Sequence, residues 1–200
     1  MDEAWLAEKL AAEDSLALAI WNGKPLIEAG PDGPRVAYLP AAMAEDLAGG
    51  RERLLFLGLW KGAAIFAVDI EGAADPAAGP LQGFGDFQDL RAVSLKLART
   101  DAAIAATAKQ MFEWRRRHRH CASCGQPSEV ADGGWKRVCP SCEIEHFPRT
   151  DPVVIMLAVH KDRCMLGRQD AWPAGMFSCL AGFLEPGETI EEACARELME

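Results

Sequence analysis

The apolar positions of the first half of the chain come in short runs separated by turn residues, the pattern of strands rather than long helices. Leu16–Trp21 is one such run, and Asn22-Gly23 follows it directly; that dipeptide suits a two-residue hairpin turn. Residues 35–39 make another short apolar run. Leu54–Trp60 and Ala63–Ile70 flank Lys61-Gly62 and predict a second hairpin. Residues 71–90 are rich in Gly, Pro and Ala and predict a loop. Residues 91–97 fit either a strand or the start of a helix.

The period then changes. Ile104, Ala108, Met111 and Phe112 recur at offsets of four, seven and eight, which places them on one face of a helix over 101–119, with Asp101 as its cap. Beyond Pro152, residues 153–159 and 164–167 predict a hairpin. Residues 180–182 lead through a Pro-Gly loop into a helix starting near Thr189, whose spacing to Glu192 is that of a capping box. This divides the chain into a β-rich N-terminal domain over 1–100, a basic connecting helix over 101–120, a cysteine-bearing segment over 121–147 and a last domain over 148–200.

Charge and cysteine usage narrow the class. A net charge of −9 argues against a chain that coats nucleic acid non-specifically. The cleanest apolar run, 153–159, is far too short to cross a membrane. Met1-Asp2-Glu3-Ala4-Trp5 lacks the basic region of a secretory signal, so a cytoplasmic setting is the expectation. The one strongly basic stretch is 115–120 (RRRHRH), at the end of the expected helix. It reads as a solvated helix end whose cations suit the dipole, or as a contact for phosphate.

Cys121, Cys124, Cys139 and Cys142 form two C-x2-C pairs fourteen residues apart. Two thiolates three positions apart grip one ion from a tight turn, and two such turns complete a closed tetrahedral set. Gly125 permits the first turn and Pro140 stiffens the second. Four soft ligands favour zinc, and a site without an open position is structural. Cys164, Cys179 and Cys194 read as small buried apolar residues. His146 and His160 read as ordinary residues without ligand partners.

The last stretch carries the chemistry. From Gly182 the chain runs five residues to Glu188, then seven to Arg196-Glu197-Leu198-Met199-Glu200. Glu197 and Glu200 are three apart and share a helix face. Clustered carboxylates repel unless a cation neutralises them, and oxygen-only ligands suit Mg²⁺ or Mn²⁺. Glu188 and Arg196 are placed to pair and tie the loop to the helix. Gly182 and Gly187 let the loop turn tightly. Ile190, Cys194 and Leu198, four apart, form the stripe expected to seat the helix. A solvated, Glu-rich helix face is the plainer alternative.

This stretch resembles the Nudix box, GX5EX7REUXEEXGU with U an apolar residue: Gly182, Glu188, Arg196, Glu197, Leu198 and Glu200 match. The cysteine pairs, then 146–152 (HFPRTDP), then Leu180-Ala181-Gly182-Phe183, narrow the resemblance to the NADH pyrophosphatase branch, over roughly residues 89–200. The resemblance implies an α+β or α/β chain: a β-rich N-terminal domain, a four-cysteine zinc ribbon and the first part of a Nudix α/β/α sandwich. It also implies cleavage of the NAD(H) diphosphate to NMN(H) and AMP, in some members removal of NAD caps from RNA, and a homodimer carrying structural zinc and catalytic Mg²⁺ or Mn²⁺. Carried over residue by residue, Glu197, Glu200 and the Ala181 carbonyl hold the catalytic metal. Phe147 stands where the branch has a substrate-facing Tyr, so it keeps a ring that can stack but lacks the hydroxyl. Arg91 aligns with a substrate-contacting Arg, and Trp135 with a Trp of the ribbon. The rest of the box pattern and the branch's substrate-selecting motif, SQPWPFPxS, fall outside these 200 residues, so the chain is expected to be a fragment of a longer enzyme. Two alternatives stand beside this reading: a Nudix hydrolase of another nucleoside diphosphate derivative, and a zinc-ribbon module binding nucleic acid or protein beside an inactive hydrolase domain.

Overall fold

The computed structural model describes residues 1–200, the side chain of Arg51 excepted. It forms two units, Met1–Pro148 and Arg149–Glu200. The chain is mixed α+β, with one large sheet, a four-cysteine ribbon and a last segment of short strands and one helix.

In the first unit the strands are β1 (Leu16–Trp21), β2 (Lys24–Gly30), β3 (Gly33–Val36), β4 (Tyr38–Pro40), β5 (Leu54–Trp60), β6 (Ala63–Ile70) and β7 (Asp86–Phe87). Their helices are α1 (Glu3–Ala11), α2 (Ala41–Ala48), α3 (Leu90–Val93) and α4 (Arg99–Arg117). The sheet runs β3-β2-β1-β6-β5, with β4 added to β1 and β7 to β2. Both hairpin turns fall where Asn22-Gly23 and Lys61-Gly62 place them, with all four residues at positive φ. The strands β1 and β6 pair in parallel from Leu16 opposite Ile65 to Trp21 opposite Ile70, which makes them the buried centre of the sheet.

Alternation along the central strands sends side chains to two cores. Ala17, Ala19, Phe66 and Val68 meet Leu6 and Leu10 of α1 and Ala44 of α2. The alanines let α2 approach the sheet closely. Leu18, Ile20, Leu55 and Ala67 meet Ala105, Ala108, Met111, Phe112 and Trp114 of α4 on the other face. Fully burying Leu18 or Ile20 contributes about 1.5–3 kcal/mol each. Neither α1 nor α2 stands out in the sequence pattern, and residues 35–39 form not one strand but two, because Ala37 donates instead to Leu26 O at 3.0 Å.

Asp101 does not cap α4. The N-cap is Ala98, without a side-chain bond. The Asp101 carboxylate instead accepts from Val36 N at 3.3 Å and Tyr38 Oη at 3.2 Å, tying the helix to β3 and β4. Burial and the Asp101 carboxylate push the Tyr38 phenol well above its ordinary value.

The ribbon strands β8 (Glu129–Ala131), β9 (Lys136–Val138) and β10 (Glu145–His146) form a small sheet ordered β10-β9-β8. Two side chains lock this ribbon to the large sheet. Trp135 donates through Nε1 to Phe56 O at 2.6 Å. Arg115, which the sequence places in an exposed basic helix end, is 5% exposed and turned inward. It donates to Gly134 O at 3.0 Å, Leu54 O at 2.8 Å and Glu52 O at 3.2 Å, joining α4, β5 and the ribbon. A Cβ at Gly134 would overlap the Arg115 guanidinium, so this position admits glycine alone.

The second unit holds β11 (Val153–Met156), β12 (Val159–His160), β13 (Arg163–Cys164), β14 (Leu180–Phe183) and α5 (Ile190–Met199). The expected run over 153–159 breaks in two: β11 pairs with β14, and β12 pairs with β13 in a hairpin of its own. That hairpin buries neither face, so Cys164 is exposed rather than buried; Cys179 and Cys194 are half-buried. The stripe of Ile190, Cys194 and Leu198 does not seat α5. Ala193 does, at 0% exposure, while Ile190 and Leu198 stand 63% and 43% exposed.

Replacing Arg115 with Met removes the donors of three backbone carbonyls inside the first unit. The expected cost is about 3 kcal/mol, read as a lowered urea midpoint. A change below about 0.5 kcal/mol, the size of an ordinary surface substitution, would show that the lock is ornamental.

Candidate functional site

The four cysteines converge in the first unit. Their sulfurs all lie within 4.8 Å of one another, with Cys121 Sγ 3.6 Å from Cys142 Sγ and Cys124 Sγ 3.5 Å from Cys139 Sγ. Tetrahedral zinc with Zn–S bonds of about 2.3 Å requires sulfurs about 3.8 Å apart, so the cluster is already near the size the ion needs. The two knuckles repeat one geometry. Gly125 N donates to Cys121 O at 2.9 Å and Glu143 N donates to Cys139 O at 2.8 Å. Gly125 has φ +77°, and Glu143, at the matching place, accepts φ +59° despite its side chain.

His146 is not the ordinary residue that the sequence suggests; the ribbon folds it back so that its Nε2 lies 3.3 Å from Cys121 Sγ. Spacing alone does not reveal this, because β10 carries His146 to the cluster only after pairing with β9. The Cys121 thiol is pulled down to about 7, first by the backbone N–H of Cys124, with Ser123 N–H, His146 and Cys142 adding to it. A second hydrogen-bond donor on a thiolate steadies a ligand for its metal.

In the second unit, one guanidinium organises the acids. Thr189 and Glu192 cap α5 reciprocally: Glu192 N donates to Thr189 Oγ1 at 3.2 Å and Thr189 N to a Glu192 carboxylate oxygen at 2.9 Å. This fixes the helix N-cap, one residue after Glu188. Arg196 then donates to both Glu188 oxygens, at 2.6 and 2.9 Å, a bidentate fork across the loop. It also donates to Phe183 O at 2.9 Å, to Glu197 Oε1 at 2.9 Å and to Glu200 Oε1 at 3.2 Å. The Glu188 carboxyl is held down at about 2, first by Arg196 and then by the backbone N–H of Glu185. Arg196 is raised in turn, by Glu188, Glu197 and Glu200 in that order. Arg196 therefore faces the loop acid and both helix acids at once.

Gly182 has a steric reason. It lies in β14 with the Glu197 carboxylate directly against it, and a Cβ there would overlap that carboxylate. Gly187, at φ +95°, supplies the turn into α5. Ala181 sits beside Gly182, opposite Ile155 of β11. The structure thus brings Gly182, Glu188, Arg196, Glu197 and Glu200 together. Arg91, exposed on α3, and Phe147, 61% exposed, belong to the first unit. The Phe183 carbonyl and the Glu185 N–H are invisible in the sequence, where backbone groups leave no trace of residue type.

The donor set fits a hard divalent cation. Glu197 and Glu200 each give Arg196 only one oxygen, and the other carries no hydrogen bond among the described residues. Among those residues the four cysteines are the one cluster of three or more metal-ligand side chains; α5 contributes two acids.

Comparison with known proteins covers nearly the whole chain. Residues 14–114 match the NADH pyrophosphatase-like rudimentary NUDIX domain, 116–147 the NADH pyrophosphatase zinc ribbon domain, and 148–200 the NUDIX domain. The human NAD-capped RNA hydrolase NUDT12 is 46% identical over 116 residues, which cover 53% of this chain and 25% of that protein. The human mitochondrial NAD(P)H pyrophosphatase NUDT13 is 41% identical over 116 residues, 58% of this chain and 33% of that protein. The NAD-capped RNA hydrolase NudC of Stutzerimonas stutzeri (strain A1501) is 34% identical over 144 residues, 72% of this chain and 50% of that protein. The chain spans between a quarter and a half of the length of these relatives.

Because His146 touches the Cys121 sulfur, His146→Ala should weaken zinc retention about 10–100-fold in competition with a chromophoric chelator. Zinc affinity equal to the parent's would mean that the histidine merely packs beside the knuckle.

Proposed function

The chain belongs to the NADH pyrophosphatase-like Nudix family, and on that premise we propose that it serves divalent-cation-dependent hydrolysis of the diphosphate of NAD(H) to NMN(H) and AMP. The names of its relatives extend the reading to NAD-capped RNA as a second substrate. The observation that carries the proposal is the Arg196 network, which gathers Glu188, Glu197 and Glu200 over the glycine strand β14.

In this reading Glu197 and Glu200, with the Ala181 carbonyl, hold Mg²⁺ or Mn²⁺. When bound, the ion withdraws charge from the diphosphate and makes water a better nucleophile. The chain's own residues do the positioning. Glu188, ionised down to about pH 2, anchors Arg196. Arg196 keeps one oxygen of Glu197 and one of Glu200 in place and leaves the other two available to the cation. Gly182 keeps the strand thin enough for Glu197 to lie against it. The exposed Phe147 ring offers a stacking surface for a nucleobase, and Arg91 a charge for a phosphate. The four-cysteine ribbon is structural. No helix is long and apolar enough to cross a membrane. We further propose a homodimer, which the family resemblance implies, and a cytoplasmic setting.

Two substitutions test it in the protein that carries this chain, with NADH and Mn²⁺ and products followed by chromatography. Glu197→Gln should remove nearly all formation of NMNH and AMP, on the order of 10³-fold, by losing a metal ligand. Gly182→Ala should lower kcat and Mn²⁺ affinity together, because the added methyl displaces the Glu197 carboxylate without touching its charge. Parent-like turnover in both variants would sink the assignment.

A further inference from the structure

The chain is acidic overall, yet one groove of about 1100 Å³ in the first unit has more cations than acids in its lining. The exposed face of α4, the Asn22-Gly23 turn, the end of β6 and the first turn of the ribbon line it. Seven lysine and arginine side chains face it against four acids, Glu52, Asp69, Glu71 and Glu113.

Several of these cations are already engaged. Arg53 pairs with Glu71 at 2.6 Å, and Arg116 and Arg117 share Glu113 at 2.7 and 2.5 Å. Lys109 donates to Gly23 O. Three are left without a carboxylate. Arg115 meets only carbonyls, and its Nη2 is buried with no partner among the described residues. Arg137, 6% exposed, donates only to the hydroxyl and carbonyl of Ser128. Arg119 is exposed and makes no side-chain hydrogen bond or ion pair among the described residues. Burial lowers Arg115 and Arg137 first; Arg137 then lowers Arg115 against Asp69, and Arg119 lowers Arg137 against Glu52. Asp69 is raised, first by burial and then by Glu71, with Arg53, Arg115 and Arg116 opposing the rise. The groove has an uncompensated positive charge that an external anion relieves.

The lining indicates the kind of anion. A protein partner would need apolar anchors at the centre of its interface. Of the groove's apolar residues Ile20, Ile70 and Phe112 are buried, which leaves only the exposed Pro127 and the half-buried Val130. The one open ring is the imidazole of His120. What dominates the lining is guanidinium groups, whose planar donors suit phosphate oxygens.

We propose that this groove holds the sugar–phosphate backbone of an RNA strand, independently of its sequence. The inference rests on the reading that capped RNA is a substrate, and it makes RNA binding and hydrolysis two functions of one chain rather than rival accounts of it. A free dinucleotide has no polyanionic tail, so the groove should matter to RNA and not to NADH.

The test uses the zinc-loaded protein and a fluorescein-labelled, uncapped single-stranded RNA of mixed sequence, read by anisotropy over a salt series. The double variant Arg116→Glu, Arg119→Glu avoids the inward-turned Arg115 and Arg137, and thermal unfolding checks that it folds. It should raise Kd at least about tenfold and flatten the salt dependence by at least about 0.7 log units per decade, the share of the phosphate that the unpaired Arg119 no longer neutralises. Lys96→Glu with Arg99→Glu, exposed and outside the groove, should leave both unchanged. Equal RNA binding by the groove variant and the parent would overturn the proposal. So would a polyglutamate peptide that competes as well as RNA at equal charge. NADH cleavage by the same variants separates the two claims: absence of NADH activity in the parent itself would remove the hydrolase reading while the binding result still decides the groove.

Discussion

Three carboxylates in one place need a cation that belongs to the fold, and the second unit depends on Arg196 to supply it. Glu197 and Glu200 lie one turn apart on α5, and the loop brings Glu188 against them. Without the guanidinium their mutual repulsion would open the loop or protonate one acid. The planar fork suits this role as an ammonium could not, because it binds Glu188 through two parallel N–H groups and still reaches the other two acids and a carbonyl. The spacing in the sequence is therefore a geometric requirement. Seven residues after Glu188 place Arg196 on the face of α5 that meets the loop, and Gly182 makes room for the next residue's carboxylate.

The first unit uses the same kind of side chain for a different end. Arg115 directs its donors to three carbonyls from β5, the turn before it and the ribbon. That arrangement joins a zinc module too small to hold a core of its own to a sheet that has two. Trp135 and the glycine at 134 complete the joint. The zinc cluster closes the ribbon, and the arginine holds the ribbon against the sheet. The cost is a concentration of positive charge along α4, which the groove exposes to solvent.

What is legible in the sequence is whatever depends on neighbours along the chain. The hairpins at Asn22-Gly23 and Lys61-Gly62, the paired cysteines, the Thr189–Glu192 capping box and the Glu188–Arg196 pairing all need only local spacing. The failures share a cause as well. Asp101 has the right type for a cap, but packing against β3 and β4 claims its carboxylate. Arg115 looks like its neighbours Arg116 and Arg117 because helix phase, not composition, turns it inward. His146 meets Cys121 only through the pairing of β9 with β10. The short helix α1 buries only Leu6 and Leu10, too few positions to mark a helix face in the sequence, and α2 buries Ala41, Ala44 and Ala48, which fit because alanine allows close approach to the sheet. The stripe on α5 misleads for the same reason, since small Ala193 makes the contact and larger Ile190 and Leu198 stay outside.

Whether water attacks phosphorus is decided by the position of an isotopic label. The protein carrying this chain would be given NADH and Mn²⁺ in water enriched in ¹⁸O, with the products resolved by mass spectrometry. Hydrolysis of the diphosphate predicts NMNH and AMP, with one ¹⁸O on a product phosphate and none on ribose. Label on the ribose, release of nicotinamide, or intact NADH alongside saturating metal would contradict it.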